Sequence, residues 1–429
     1  MSTDLCLLFL SGLVSKRIHS RVFVCINTFN VIQLGLLSNQ SSLPLHPDDS
    51  MYLFETIGLL LGKTGLEESD QQKYLTAVTT PHIQRIDAIL KSSSGVQGDA
   101  ESFIDILATS VAAIASLSKG FSKKASKNIQ LVLGETLPVC LNVLTLFHAH
   151  APIRNKVMVY LQRMILTLGN NILHYISNFI ELLIGSCDGE DVIDVSQLLY
   201  QLCSKFKAAS STVLDSALLP FIEKCHHLVT VSNAGAITED ERIAPSHLLL
   251  EQLAVKKMTF SLLHQIVTCQ CTSILLSPTN ISSLERILSV MRDGAVLQDA
   301  VVKKSCLRFF KELTIQWLDK TSCPQGVSRI RVGFVNFVVQ DLIPNVLKTM
   351  VAASFDHNDA MQYRSLREMS HILLNVKDSV DTDEFKQEVV AKSLMPLRCP
   401  VSIATDIEDA SDAQTIEICL KDMLSKIKE

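Results

Sequence analysis

Apolar positions at steps of three and four run along most of the chain. In the stretch 134–173, GETLPVCLNVLTLFHAHAPIRNKVMVYLQRMILTLGNNIL, residues Leu137, Leu141, Leu144 and Phe147 fall on one helical face. Pro138 stands early in this first helix, where a missing N–H costs least, and Pro152 marks the start of a second. The second helix carries Val157, Tyr160, Leu161, Met164, Ile165 and Leu168 as a broad apolar face, with Arg154, Lys156 and Arg163 placed off it. Gly169-Asn170-Asn171 ends it with residues that tolerate positive φ. One unit is thus two antiparallel helices of about 40 residues, whose wide apolar faces need neighbours of the same kind.

Similar pairs recur. Residues 5–37 read as one or two helices, followed by the polar loop SNQSSLPLHPDDS (38–50) and the apolar helix Met51–Leu61, stopped by Gly62. Tyr74–Leu90 then pairs with Phe103–Leu117, Ile172–Ile184 with Val192–Phe206, and Val213–Val229 with Leu248–Val267. Ile281–Met291 pairs with Val301–Leu318, and Phe334–Met350 with Met361–Val376; Phe385–Leu397 precedes a last helix, Thr415–Ile427. Several first helices carry a proline: Pro81, Pro138, Pro220, Pro344 and Pro396. The intervals of 82 and 124 between successive members divide into two and three steps of about 41 residues, a period in the HEAT/armadillo range. Two helices per repeat and a first-helix proline select HEAT. The prediction is an all-α HEAT-repeat superhelical solenoid, with residues 1–50 as partial N-terminal helices and loop and 51–429 as the array.

Composition supports a continuous core: 47% of the 429 residues are hydrophobic and 19% charged. Gly is low at 16 residues, against the tight turns of sheet proteins. A net charge of −5 argues against a general polyanion binder but permits local basic strips. The twelve cysteines form no CxxC pair, and Cys140, Cys203, Cys225 and Cys306 lie on apolar helix faces, so they read as free buried thiols of a reducing compartment rather than disulfides or zinc ligands. LCLLFLSGLV near the start lacks a basic residue before it and is too short to span a bilayer, so neither secretion nor membrane insertion is expected.

No catalytic constellation emerges. Gly62-Lys63-Thr64 ends like a phosphate loop, but the glycine needed five residues earlier is Ile57 and a helix, not a strand, precedes it. His148 and His150, and the adjacent His226 and His227, have no metal-ligand spacing. No enzyme and no cofactor is expected. In SKGFSKKASK, residues Lys119, Lys123 and Lys127 fall at i, i+4 and i+8, with Lys124 beside them and Phe121 near, so one continued helix would carry a basic stripe suited to a phosphate backbone. The bland alternative is a solvated helix end whose lysines complement its dipole. Lys205 and Lys207 around Phe206, Lys303-Lys304 with Arg308 and Lys311, and Arg329 with Arg331 are further basic candidates. The acidic stretches CDGED (187–191) and AITEDERIA (236–244) read as exposed connectors that could touch a basic partner.

The ordered series LFETIGLLLG, TTPHIQRIDAIL, SLSKGFSKKAS, VYLQRMILTLGNNIL, LCSKFKAASS, LLPFIEKC, KSCLRFFKELTIQWL and GFVNFVVQDLIPNVL resembles the tRNA exportin (exportin-T) family of the importin-β superfamily over roughly residues 16–397. That resemblance implies a nuclear export receptor, acting as a monomer, that binds tRNA together with Ran-GTP, passes the nuclear pore through pore proteins and shuttles between nucleus and cytoplasm. It also implies recognition of tRNA by backbone and shape, for which Lys119, Lys123, Lys124, Lys127, Lys205 and Lys207 are the RNA-binding candidates. The likeness is to the carboxy-terminal half of the family, without the amino-terminal repeats that bind Ran. A HEAT-repeat scaffold for proteins, or another importin-β-type cargo receptor without RNA binding, is the alternative.

Overall fold

The structure, a computed structural model, describes residues 47–63, 66–92, 100–121, 125–234, 246–319 and 326–428. The expected helices of residues 5–37 and the acidic stretch 236–244 lie outside them. Among the described residues there is no strand, and the HEAT reading holds: helices come in antiparallel pairs stacked in two layers. The chain divides into two compact units, Met1–Gln201 and Leu202–Glu429.

In the first unit, α1 (Pro47–Lys63), α3 (Ala100–Ser118) and α6 (Ala151–Leu168) pack each on the next to form one layer. The other layer holds α2 (Glu68–Ser92), α4 (Lys127–Gly134), α5 (Thr136–Phe147) and α7 (Leu173–Ser186). Helix α1 begins at Pro47, inside the stretch read as loop, because a proline at the first helical position loses no hydrogen bond. The period-3.6 pattern does what it predicts. Leu107, Val111, Ile114 and Leu117 of α3 and Val157, Leu161, Met164 and Ile165 of α6 are fully buried where the two helices meet. Gly169, at φ +55°, ends α6 in the left-handed region open to glycine.

Arg154 departs from the expected pattern. Rather than standing off the apolar face it is 4% exposed, its Nε on the buried carboxylate of Asp191 and its Nη2 2.7 Å from Asp188. Its Nη1 donates to the carbonyls of His148 and Ala149, at 3.1 and 2.9 Å, in the turn between α5 and α6. Part of CDGED is therefore a structural clasp rather than an exposed connector. A five-donor guanidinium reaches two carboxylates and two carbonyls at once, which satisfies the turn's backbone acceptors away from water.

The helix α8 (Gly189–Phe206) leads into the second unit. There α10 (Ser246–Thr268), α12 (Ala300–Leu318), α15 (Ala360–Ser379) and α18 (Ala413–Lys428) form one layer in chain order. Against it lie α9 (Ser211–Ala234), which packs on α10, and α11 (Leu284–Val296), which packs on α12. Asp299 and Asp359 cap α12 and α15, each accepting two backbone N–H bonds. Trp317, fully buried, meets the Phe334 ring edge-on at 4.9 Å.

The helix α13 (Val327–Phe337) widens into a π segment, Val338–Leu342, before continuing as α14 (Ile343–Val351). Pro344 follows that segment, and Pro396 follows a second one, Lys386–Leu394, which extends the short α16 (Thr382–Phe385). A proline cannot donate to the turn before it, and widening the turn takes up the mismatch without breaking the helix. The sequence pattern misses α17 (Val401–Asp409) because its buried Ile403, Ala404 and Ile407 span barely two turns.

Three helical stretches, Phe103–Phe121, Lys127–Phe147 and Val327–Val351, are long and apolar enough to cross a membrane by length and composition. Their apolar faces meet neighbouring helices of the array.

Candidate nucleic-acid interface

The continued helix that would align Lys119, Lys123 and Lys127 does not form. Helix α3 stops at Ser118, a single 3-10 turn covers Lys119–Phe121, and α4 restarts at Lys127, with Ser126 accepting from the Ile129 N–H as its cap. Lys119 pairs with Glu55 of α1, and Phe121 is buried rather than available for stacking. Lys127 is exposed at the start of α4; Lys123 and Lys124 lie outside the described residues. Lys205 and Lys207 are exposed around a buried Phe206, at the end of α8 and in the 3-10 turn after it.

A denser basic cluster sits on the layer of second helices in the second unit. Lys304, Arg308 and Lys311 occupy positions i, i+4 and i+7 of α12, so they share one face over about 10 Å. On the adjacent α15, Arg364 and Arg367 stand at i and i+3, with Glu368 and His371 beside them. His264 of α10 borders the group from the other side. Arg308 and Arg364 both act to lower the Lys304 pKa below its ordinary value, after the larger effect of its partial desolvation. Cations perturb one another this way only when they are close.

Glu368 is the acid at the middle. It is 5% exposed, and its two oxygens take the Arg308 Nε at 2.8 Å and the Lys311 Nζ at 3.1 Å. Burial would raise its pKa, but the hydrogen bond from Arg308 and the charge of Lys311 outweigh it and hold the carboxylate ionised below its usual range. Lys304, Arg364 and Arg367 form no ion pair among the described residues. His264 is pushed down to about 4, first by burial and then by Arg308, so it is neutral at pH 7. His371 is lowered as well, by burial and then by Lys311. Such a field attracts closely spaced negative charges.

Of the basic candidates read from sequence, Lys304, Arg308 and Lys311 come together here. Lys303 turns inward, 5% exposed, with Nζ 3.2 Å from Thr349 Oγ1 and over the Phe355 ring. Arg331, half-buried, donates to the Leu318 carbonyl. Arg364, Arg367 and His264 were not recognised from sequence. The signal lay in YRSLREMSH, where Arg364, Arg367 and His371 share one helical face. Their joining to α12 depends on which helices stack, and spacing does not encode that. Among the described residues no group of three or more His, Cys, Asp and Glu side chains is arranged to hold a metal ion.

The family model for Exportin-T matches residues 38–415 of the chain. The exportin-T of Arabidopsis thaliana is 28% identical over 325 residues, covering 73% of this chain and 32% of that protein. The Homo sapiens exportin-T is 24% identical over 373 residues, covering 85% of this chain and 37% of that protein. The chain thus spans about a third of the length of these relatives. A solved structure of importin13 in its cytosolic state superimposes with a TM-score of 0.57 at 13% identity, over 96% of this chain and 43% of that one, a likeness of fold alone.

Proposed function

The chain belongs to the exportin-T family, and on that premise we propose that it is part of a nuclear export receptor that carries tRNA. It presents the phosphate backbone of the RNA to the cation cluster Lys304, Arg308, Lys311, Arg364 and Arg367. The observation that carries the RNA reading is the concentration of five cations around a single buried acid, on a chain whose net charge is −5. Backbone recognition suits this arrangement, because lysine and arginine on two rigid helices fix register against phosphates and read no base. Lys127, Lys205 and Lys207 are proposed as outlying phosphate contacts. Lys123 and Lys124 keep that role on sequence grounds, whereas the Lys119 ammonium is shared with Glu55.

Ran-GTP as co-ligand, passage through the nuclear pore on pore proteins, shuttling between nucleus and cytoplasm, and a monomeric receptor complete the proposal. The receptor performs no chemistry of its own. A mobility-shift titration of the chain with folded tRNA, with and without GTP-loaded Ran and at two salt concentrations, tests it. Binding that weakens steeply with salt is expected, and Ran-GTP strengthens it where the chain itself takes part in the coupling. Absence of tRNA binding at both salts overturns the RNA reading and favours a protein cargo.

A further inference from the structure

We propose that Glu368 sets how many cations of the cluster a phosphate backbone reaches, withholding Arg308 and Lys311 so that only Lys304, Arg364 and Arg367 engage it. The inference rests on the RNA reading of the cluster and concerns a positioning residue within it.

The argument is one of competition. Glu368 is buried on α15, and both of its oxygens are already taken by the Arg308 Nε and the Lys311 Nζ, at 2.8 and 3.1 Å. A phosphate that drew either cation away would leave a buried carboxylate with one partner or none, and an uncompensated buried charge is far costlier than an exposed one. Arg308 and Lys311 are themselves 44% and 22% exposed, so the burial that makes the pair hard to break lies on the acid's side. Among the described residues Lys304, Arg364 and Arg367 form no ion pair that would have to be broken, and the outer two, Arg364 and Arg367, are exposed. A cluster with five cations by inventory therefore acts with three.

Counterion release turns this into a measurable number. The slope of log affinity against log salt falls by about 0.7–0.9 for each phosphate neutralised. The natural chain should give a cluster contribution of about −2 to −3, where five available cations would give about −3.5 to −4.5. The experiment measures that slope for the full chain and a folded tRNA transcript, comparing Arg364→Gln, Arg367→Gln, Lys311→Gln and Glu368→Gln, each checked for an unchanged helical spectrum and melting profile. Arg364→Gln and Arg367→Gln should each flatten the slope by about 0.7–0.9, Lys311→Gln should leave it in place, and Glu368→Gln should steepen it by about 1.5–2. A merely structural role for Glu368 would not steepen the slope. Should Glu368→Gln fail to fold, the contrast between Lys311→Gln and Arg364→Gln decides by itself. Equal flattening by those two overturns the withholding while leaving the RNA surface standing. No change on removing Arg364 and Arg367 overturns the surface and the inference together.

Discussion

The backbones of Gly58 and Gly120 meet with no side chain between them: a Cβ placed on Gly120 would lie 1.8 Å from the Gly58 carbonyl oxygen. One turn along α1, a Cβ on Gly62 would lie 2.2 Å from the Gly120 carbonyl oxygen. The FETIGLLLG helix and the SKGF turn are thus two halves of one close crossing, pinned at its side by Lys119 and Glu55. Backbone is the neighbour at both positions, so an added methyl has no flexible side chain to displace. Gly120→Ala should cost about 2–3 kcal/mol in urea unfolding. Gly185→Ala, in α7 with nothing within 4 Å, should be neutral or slightly stabilising. Equal effects from the two substitutions would contradict the crossing.

Arg154 is expected to be the least replaceable charge in the first unit. Without it Asp191, itself 2% exposed, becomes a buried unpaired carboxylate, and the carbonyls of His148 and Ala149 lose their donor. Arg154→Leu should therefore cost about 3–5 kcal/mol, as breaking one side of a buried ion pair does. Arg154→Lys should recover little, because one ammonium cannot span four acceptors in a plane. A lysine variant that melts with the natural protein would refute the clasp.

Acid should loosen both units well before their carboxylates titrate. His82 and His264 are each lowered from 6.5 to about 4, both chiefly by burial, His82 further by Arg85 and His264 by Arg308. Between those two pH values the unfolded chain binds protons that the folded one refuses, so stability rises with pH across this window and is lost on acidification. Each histidine contributes up to about 1.4 kcal/mol per pH unit. Unfolding midpoints measured from pH 7 to pH 4.5 should fall steadily, and the pair of substitutions His82→Gln and His264→Gln should flatten the profile. A flat profile in the natural protein would mean that these imidazoles can be charged inside the fold.

The repeat architecture was legible because it depends on local periodicity. The apolar face Val157–Leu168, the stop at Gly169 and the start at Pro152 all act within one hairpin and are kept, while of the first-helix stripe Leu137 and Leu144 are buried and Leu141 and Phe147 only half-buried. What the sequence hid depends on contacts between repeats. Arg154 looks solvated until Asp191, on a different hairpin, is brought over it. Lys119, Lys123 and Lys127 look like a stripe until the close approach of Gly120 to α1 forces the helix to stop. The basic cluster was half visible, since α12 displays its three cations in sequence, while Arg364 and Arg367 join it only through stacking of α15 on α12. Glu368, which changes what that cluster can do, carries no local signal at all.

The buried thiols give the last test, one that reports on packing in every part of the array. All nine cysteines among the described residues are buried. Burial pushes the Cys140 thiol up to about 12, against a smaller opposing effect of its hydrogen bond with Tyr160, and pushes Cys225, Cys271 and Cys399 up to about 11. Cys203 and Cys306 are raised further still, again by burial first. Alkylation requires the thiolate, and at pH 8 a thiol with a pKa near 12 is ionised to only about one part in ten thousand. Iodoacetamide at pH 8, read by peptide mass mapping, should therefore leave these positions unmodified in the native protein and label them fully in denaturant. In Gly120→Ala the labelling of Cys140, which shares the first unit with that crossing, should accelerate, while Cys306 in the second unit should keep its natural rate. Rapid native labelling of Cys140 or Cys306 would show that the hairpins open far more often than their buried faces imply.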